Sequence, residues 1–131
     1  MSWSEADQTE WQVLDVAGID RTGLTAARRW AETKLDRLRE TDLIDTLIVV
    51  GELLENAYVH GGGPRQLRIR QSHDTCEVAV ADAGDGEPKM RAPDHDGGRG
   101  LLLVDQLCLE WGVSRRDDGK LVWARVECSE G

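Results

Sequence analysis

The sequence predicts a two-layer α/β sandwich in which helices cover one face of a mixed β-sheet. Three observations predict this class: strand-like and helical patterns alternate along the chain, one helical segment is strongly apolar, and the later strands are short and separated by turns. The chain has 131 residues, of which 40% are hydrophobic, so it can bury the core of one domain. We expect an N-terminal segment at 1–18, which includes a first strand, and the main domain at 19–131.

Two helices are predicted in the first half of the chain. The first runs from about Leu24 to Arg39 and has alanines, long side chains and an apolar stripe. The second begins near Thr41 or Asp42, which are good N-cap residues, and ends at the Gly-Gly-Gly-Pro sequence at 61–64. Apolar residues recur at helical spacing over a wide face of this helix, so we expect it to be central and well buried.

Strands and turns account for most of the remaining chain. Alternating or continuous apolar residues predict strands at 11–17, 67–71, 76–82, 111–114 and 121–127. The segment 83–100 has no periodicity and is rich in glycine, proline and charge, and a short helix follows at 101–107. A loop of this length in a compact domain usually has a function.

The charge of the chain argues against nucleic-acid binding. The formal net charge is −9, and the densest basic stretch, at 65–70, alternates like a strand with one solvated face. An acidic surface suits a basic protein partner, although it also serves solubility.

The cysteines indicate a reducing environment. Cys76, Cys108 and Cys128 are odd in number, no two have C-x-x-C spacing, and each lies in an apolar segment, so we expect buried free thiols. Such thiols favour the cytoplasm. The first thirty residues contain no signal segment, and no apolar run reaches the roughly eighteen residues of a membrane helix, so we expect no membrane association.

Glu52 and Asn56 form the first candidate pair of functional residues. They are four residues apart on the apolar helix, so their side chains point the same way. A carboxylate and an amide on a buried helix cost free energy unless they have partners. Taken alone, the pair also fits a solvent-exposed side of the helix.

Two glycine-containing segments follow. Asp82 ends an apolar strand before Gly84 and Gly86, which is either a common turn or a carboxylate that accepts a hydrogen bond from a ligand amino group. Glycines at 97–100 precede a helix, where exposed backbone N–H groups and the helix dipole form a natural phosphate site. No P-loop sequence is present, and the glycines do not follow a first strand as in a dinucleotide-binding fold.

The three motifs resemble one family when they are taken together. E-L-L-E-N-A-Y-V-H-G, then D-A-G-D-G, then G-G-R-G-L match the GHKL ATPases, which share a Bergerat-type nucleotide-binding fold, in order and in context. Within that group the chain is most similar to the small anti-sigma-factor serine/threonine kinases of bacterial partner-switching systems. The resemblance covers about residues 20 to 127.

The resemblance implies a role for each motif. Asn56 would hold the Mg²⁺ that bridges the phosphates of ATP, Glu52 would be the general base, and Asp82 would bind the adenine amino group. Gly84 and Gly86 would shape the adenine pocket. The implied residues of a lid over the triphosphate are Gly98, Arg99, Gly100 and Leu101.

Two further positions follow from the resemblance. An arginine on the preceding helix assists partner recognition or phosphate handling in this group, and Arg28 matches it best by spacing, with Arg29 as its neighbour; a solvated helix residue is the alternative. A threonine in the last strand often supports the adenine contact, and the matching position is expected to be Leu121. Loss of that hydrogen bond would weaken nucleotide affinity by about 1 kcal/mol.

The implied function is an ATP- and Mg²⁺-dependent regulator. It would sequester a sigma factor and phosphorylate a serine or threonine of a STAS-type anti-sigma antagonist, and homodimers are expected for this group. A second hypothesis is an ATP-gated protein-binding module without kinase activity, in which ATP orders the lid. A third is a structural domain with a decayed site.

Overall fold

The computed structural model of the protein describes residues 11–84 and 100–129. Its helices are α1 (Arg21–Lys34), α2 (Glu40–His60) and α3 (Gly100–Leu107). Its strands are β1 (Gln12–Asp15), β2 (Pro64–Gln71), β3 (Thr75–Asp82), β4 (Glu110–Arg116) and β5 (Gly119–Glu127). None of the described helices combines the length and the apolar character that a membrane span needs.

The described strands form one sheet in the order β1-β2-β3-β5-β4. The predicted two-layer α/β class is confirmed, but the sheet differs from the expected mixed one, because each neighbouring pair of described strands is antiparallel. β3 and β4 run in the same direction, as a strand–helix–strand connection through α3 allows. β5 follows β4 in a hairpin and lies between β3 and β4, so these two strands do not pair with each other.

The main core lies between the helices and one face of the sheet. α2 is the central helix and contacts β2, β3, β5, α1 and α3. Its fully buried apolar residues are Val49, Val50, Leu53, Leu54 and Ala57. They pack in one cluster with the apolar residues of the sheet, including Val78, Val80, Val122 and Ala124. This burial fixes the orientation of the polar residues on the same helix.

The first helix is shorter than predicted and begins earlier. Asp20 is its N-cap, and the carboxylate accepts a hydrogen bond of 2.9 Å from the backbone N–H of Gly23, so the helix begins at Arg21, three residues before the predicted start. It ends at Lys34, although Leu35 and Leu38 are buried after it. The apolar stripe therefore continues past the helix into the connection.

The start of α2 is held by the end of the sheet. Asp42, predicted as a cap, lies inside the helix, whose N-cap is Arg39 without a side-chain capping bond. The Asp42 carboxylate instead accepts a hydrogen bond of 2.9 Å from the N–H of Ser129, and the N–H of Arg39 donates to the Ser129 carbonyl. The chain after β5 thus anchors the helix that carries the candidate site.

The opposite face of the sheet has a smaller apolar cluster. Ala79, Leu121 and Trp123 are buried there, next to a buried ion pair in which Arg70 lies 2.8 Å from Glu77. Both faces of β5 are therefore apolar. In the described part of the chain, no helix covers this second face.

The three thiols are free, as predicted, and Cys76 and Cys128 are buried. Burial is the main reason that the pKa of each thiol is raised, and it raises the pKa of Cys108 to about 12. Because the thiolate is the reactive form, the folded protein should react slowly with thiol reagents.

Candidate functional site

The C-terminal half of α2 carries the first two predicted site residues. Asn56 is buried, with 7% of its surface exposed, and Glu52 is half-buried one helical turn before it. Their spacing places both side chains on the same side of the helix. The pair is therefore not on a fully solvated face, which was the alternative interpretation.

The surroundings of Glu52 make its carboxyl group harder to deprotonate than that of an exposed glutamate. Burial raises the pKa of Glu52, the charge of Glu55 raises it further, and the charge of Arg28 lowers it. Arg28 lies across from α2, where its Cδ and Nε atoms are 3.8 Å from the position that a Cβ on Gly51 would take. The structure thus places Arg28 beside the predicted base.

Glu55 belongs to a separate contact between the helices. Arg21 donates from Nη1 to both carboxylate oxygens of Glu55, at 2.8 and 3.0 Å, and its guanidinium lies over the ring of Tyr58. These side chains are largely exposed, so water and salt screen the ion pair and it adds little to the stability of the fold. Glu55 is therefore a matched comparison for Glu52 in experiments.

Asp82 ends β3 as a buried carboxylate whose two oxygens differ in their contacts. Its Oδ1 accepts hydrogen bonds from Lys120 Nζ at 2.8 Å and from the backbone N–H of Gly84 at 2.9 Å. Its Oδ2 is buried and accepts no hydrogen bond from residues 11–84 or 100–129. A buried acceptor left in this state costs about 1–3 kcal/mol, so it fits a site for a ligand donor such as the adenine amino group.

Two glycines bring the end of α2 against the end of β3. Gly61 caps α2, and a Cβ there would lie 2.5 Å from Asp82 Oδ2. A Cβ on Gly84 would lie 2.7 Å from the Gly61 carbonyl oxygen. Asn56 is five residues before Gly61, or about 7.5 Å along the helix axis. The arrangement suits an extended ligand with a base near Asp82 and phosphates near Asn56.

Replacing Gly61 by Ala should weaken nucleotide binding at least about tenfold and lower the free energy of unfolding by about 1–3 kcal/mol. The backbone at this position is allowed for any residue, with φ −105°, so the effect comes from the new Cβ, which must displace the Asp82 carboxylate. Isothermal titration with ADP and urea unfolding measure both quantities.

Gly63→Ala is the matched control for Gly61→Ala. At φ +100° an alanine is strained, but a Cβ there meets no atom within 4 Å. It should cost about 1 kcal/mol of stability and leave the affinity for ADP unchanged. Equal affinities of Gly61→Ala and the wild type would contradict the position of the base pocket.

The residue of the last strand that lies next to Asp82 is one position before the predicted one. Leu121 pairs with Ala81 and belongs to the cluster on the opposite face of the sheet, so it cannot support a ligand at Asp82. Lys120 pairs with Asp82 and takes that place. The prediction missed Lys120 and Gly61. No signal in the sequence distinguished Lys120 from Leu121, because both faces of β5 are buried.

The residues of the predicted lid are only partly described. Gly98 and Arg99 of this lid, and Gly86 of the predicted adenine pocket, lie outside the described residues. Gly100 and Leu101 are the first residues of α3, which packs against α2. Their roles at the triphosphate stay predictions.

A magnesium ion fits the donors available near Asn56. No group of three His, Cys, Asp or Glu side chains that could hold a metal occurs in the described segments 11–84 and 100–129. Magnesium at a nucleotide site does not need such a group, because it keeps several waters and takes most other oxygens from the phosphates. One amide oxygen from Asn56 is compatible with this chemistry.

Comparisons with known proteins identify the family. The family model described as a histidine kinase-like ATPase domain matches residues 20–126. Among solved structures, a mycobacterial sensor histidine kinase, MprB, is similar over 92% of this chain and 99% of that chain, with a TM-score of 0.50 and 16% identity, which concerns the fold alone. No curated protein matches the chain. The chain therefore belongs to the family of histidine kinase-like ATPase domains, and this family membership supports ATP binding.

Proposed function

We propose that the protein is an anti-sigma regulator that transfers the γ-phosphoryl group of ATP to a serine or threonine of a STAS-type anti-sigma antagonist. The observation that carries the proposal is the position of Glu52, a half-buried carboxylate one helical turn from Asn56 and on the same side of α2. A base at this place lies at the phosphate end of the site. It can therefore take the proton of a hydroxyl group that approaches the γ-phosphate.

Each residue has one task in the proposed transfer. Asp82 orients the nucleotide through its base, and Asn56 would hold Mg²⁺, which would neutralise charge on the phosphates. Glu52 takes the proton of the attacking hydroxyl as the new bond from oxygen to phosphorus forms and ADP leaves. A raised pKa suits this task, because it makes the carboxylate a stronger base.

Partner binding is assigned to the surface next to Glu52. A groove of about 770 Å³ between α1 and α2 is lined by Arg21, Arg28 and Arg29 among other residues. Arg28 borders both this groove and Glu52, so a docked antagonist would contact the base and the groove together. The sigma factor, and a second copy of the chain in a homodimer, are further proposed partners. The free thiols are in keeping with a reducing cytoplasm.

The test uses the partner that the protein itself selects. Proteins retained from a lysate of the native cell by the immobilised chain with Mg²⁺ and ATP are identified and purified, and each is incubated with the chain and γ-labelled ATP. We expect acid-stable label on serine or threonine of one partner. Acid-labile label, as on histidine, would contradict the proposal. ATP-dependent binding without transfer would support a binding module instead.

The acid limb of the pH–rate profile, where transfer slows as the pH falls, should depend on Arg28. Transfer needs the ionised form of Glu52, so it falls as the pH drops through the raised pKa of this group. The charge of Arg28 lowers that pKa, and Arg28→Met should therefore move the acid limb to higher pH. The limb is read from kcat against pH at saturating partner.

Arg29→Met is the control for Arg28→Met, since Arg29 lines the same groove and does not act on the pKa of Glu52. Its acid limb should match that of the wild type. A limb that stays in place in Arg28→Met, or moves to lower pH, would show that Glu52 is not the titrating base.

A further inference from the structure

Lys120 is a buried cation at the base end of the site. It pairs with Asp82 across β3 and β5, and only 3% of its surface is exposed. Its Nζ donates to Asp82 Oδ1 at 2.8 Å and to the Gly84 carbonyl at 3.4 Å. An ammonium group has three N–H donors, so one donor is left beside Asp82.

Stability alone does not account for a lysine at this position. A buried ion pair can often be replaced by apolar residues without loss of stability, because the desolvation of two charges offsets their attraction. Gly84 already holds Asp82 Oδ1 through its N–H, so the carboxylate does not depend on Lys120 for its only hydrogen bond. What the lysine adds is a further donor on the Oδ1 side of a carboxylate whose other oxygen, Oδ2, has no donor among the described residues.

An acceptor and a donor side by side match the edge of adenine. That edge presents the 6-amino group, a donor, next to the ring nitrogen N1, an acceptor. In the same orientation, hypoxanthine or guanine would place its 6-oxo group against Asp82 Oδ2 and its N1–H against the ammonium. Both contacts would then be mismatched. The Lys120–Asp82 pair can therefore select adenine at two adjacent atoms.

We propose that Lys120 is a base-contacting residue that determines nucleotide specificity, its Nζ donating directly to N1 of adenine while Asp82 Oδ2 accepts from the 6-amino group. The inference rests on ATP binding and is independent of phosphoryl transfer.

The experiment combines a change in the ligand, at N1, with a change in the protein, at Lys120. ADP and 1-deaza-ADP, in which a C–H replaces N1, are titrated by calorimetry into the wild type and into Lys120→Met, with Mg²⁺ present. A hydrogen bond to a charged group predicts that the wild type binds 1-deaza-ADP about 10- to 100-fold more weakly than ADP. Lys120→Met should bind the two ligands equally. Its preference for ADP over IDP should also be smaller than that of the wild type.

Two results would overturn the proposal. One is equal affinity of the wild type for ADP and 1-deaza-ADP, which needs no variant and is unaffected by any folding defect of Lys120→Met. The other is discrimination that persists in Lys120→Met, which would assign the N1 contact to water or to another residue. Lys120→Gln keeps a donor and should retain part of the discrimination. Because no partner or transfer is involved, failure of the kinase proposal would leave this outcome unchanged.

Discussion

Asp82→Asn should reduce the affinity for ATP more than about a hundredfold and lower the free energy of unfolding by about 3 kcal/mol. Lys120 and the N–H of Gly84 both donate to Oδ1, so the oxygen of an asparagine must take that position. Its NH₂ group then replaces Oδ2 and faces the adenine amino group, donor against donor. The loss of stability arises because the buried ammonium of Lys120 loses its counter-charge.

A double variant separates the two effects of Asp82→Asn. Lys120→Met removes the buried charge, so Asp82→Asn combined with Lys120→Met should recover most of the stability but not the affinity. Urea unfolding gives the first quantity, and calorimetric titration with ATP or ADP gives the second. Wild-type affinity in Asp82→Asn would mean that Asp82 Oδ2 is not the base acceptor.

Glu52→Gln should reduce phosphoryl transfer by about a hundredfold to ten-thousandfold while the affinity for ATP stays close to that of the wild type. The amide keeps the shape of the side chain but cannot take a proton from the attacking hydroxyl. Transfer is measured as single-turnover labelling of the antagonist, and affinity by titration with ADP.

Glu55→Gln is the matched control for Glu52→Gln, because it changes a carboxylate on the same helix that binds Arg21. At saturating antagonist, where a weaker contact at the groove has little effect, it should leave transfer within a few-fold of the wild type. Equal losses of transfer in the two variants would exclude a special role of Glu52.

Glu52→Gln should also be somewhat more stable at neutral pH. The pKa of Glu52 is raised in the folded protein, so its ionised form destabilises the fold as the pH rises above the ordinary pKa.

The sequence predicts the layers of this fold and the helix that carries the site, because strong periodicity reports burial directly. α2 was expected between Thr41 or Asp42 and Gly61, and it spans Glu40–His60. The direction of the strands was not predictable in the same way. Hydrophobic patterns record which face of a strand is buried, and they do not record which neighbour it pairs with.

The error at Leu121 has a similar cause. Leu121 and Trp123 are buried on one face of β5, and Val122 and Ala124 on the other. Alternation between polar and apolar residues, which normally shows which side faces the core, is therefore missing from this strand. Only the register with β3 shows that Lys120, and not its neighbour, lies opposite Asp82.

The contact at Gly61 could not be predicted because it joins two elements that are distant in the sequence. The glycine looked like part of a helix stop, and its closeness to Asp82 follows from how α2 packs on β3. By contrast, the shared orientation of Glu52 and Asn56 could be predicted, since a spacing of four on a helix fixes how their side chains lie relative to each other.

A crystal structure of the protein with Mg²⁺ and a non-hydrolysable ATP analogue tests the nucleotide site most directly. The predicted result is the adenine amino group within hydrogen-bond distance of Asp82 Oδ2, and Mg²⁺ about 2.1 Å from the side-chain oxygen of Asn56. A nucleotide bound elsewhere, for example in the groove between α1 and α2, with Asp82 Oδ2 still without a donor, would contradict the account.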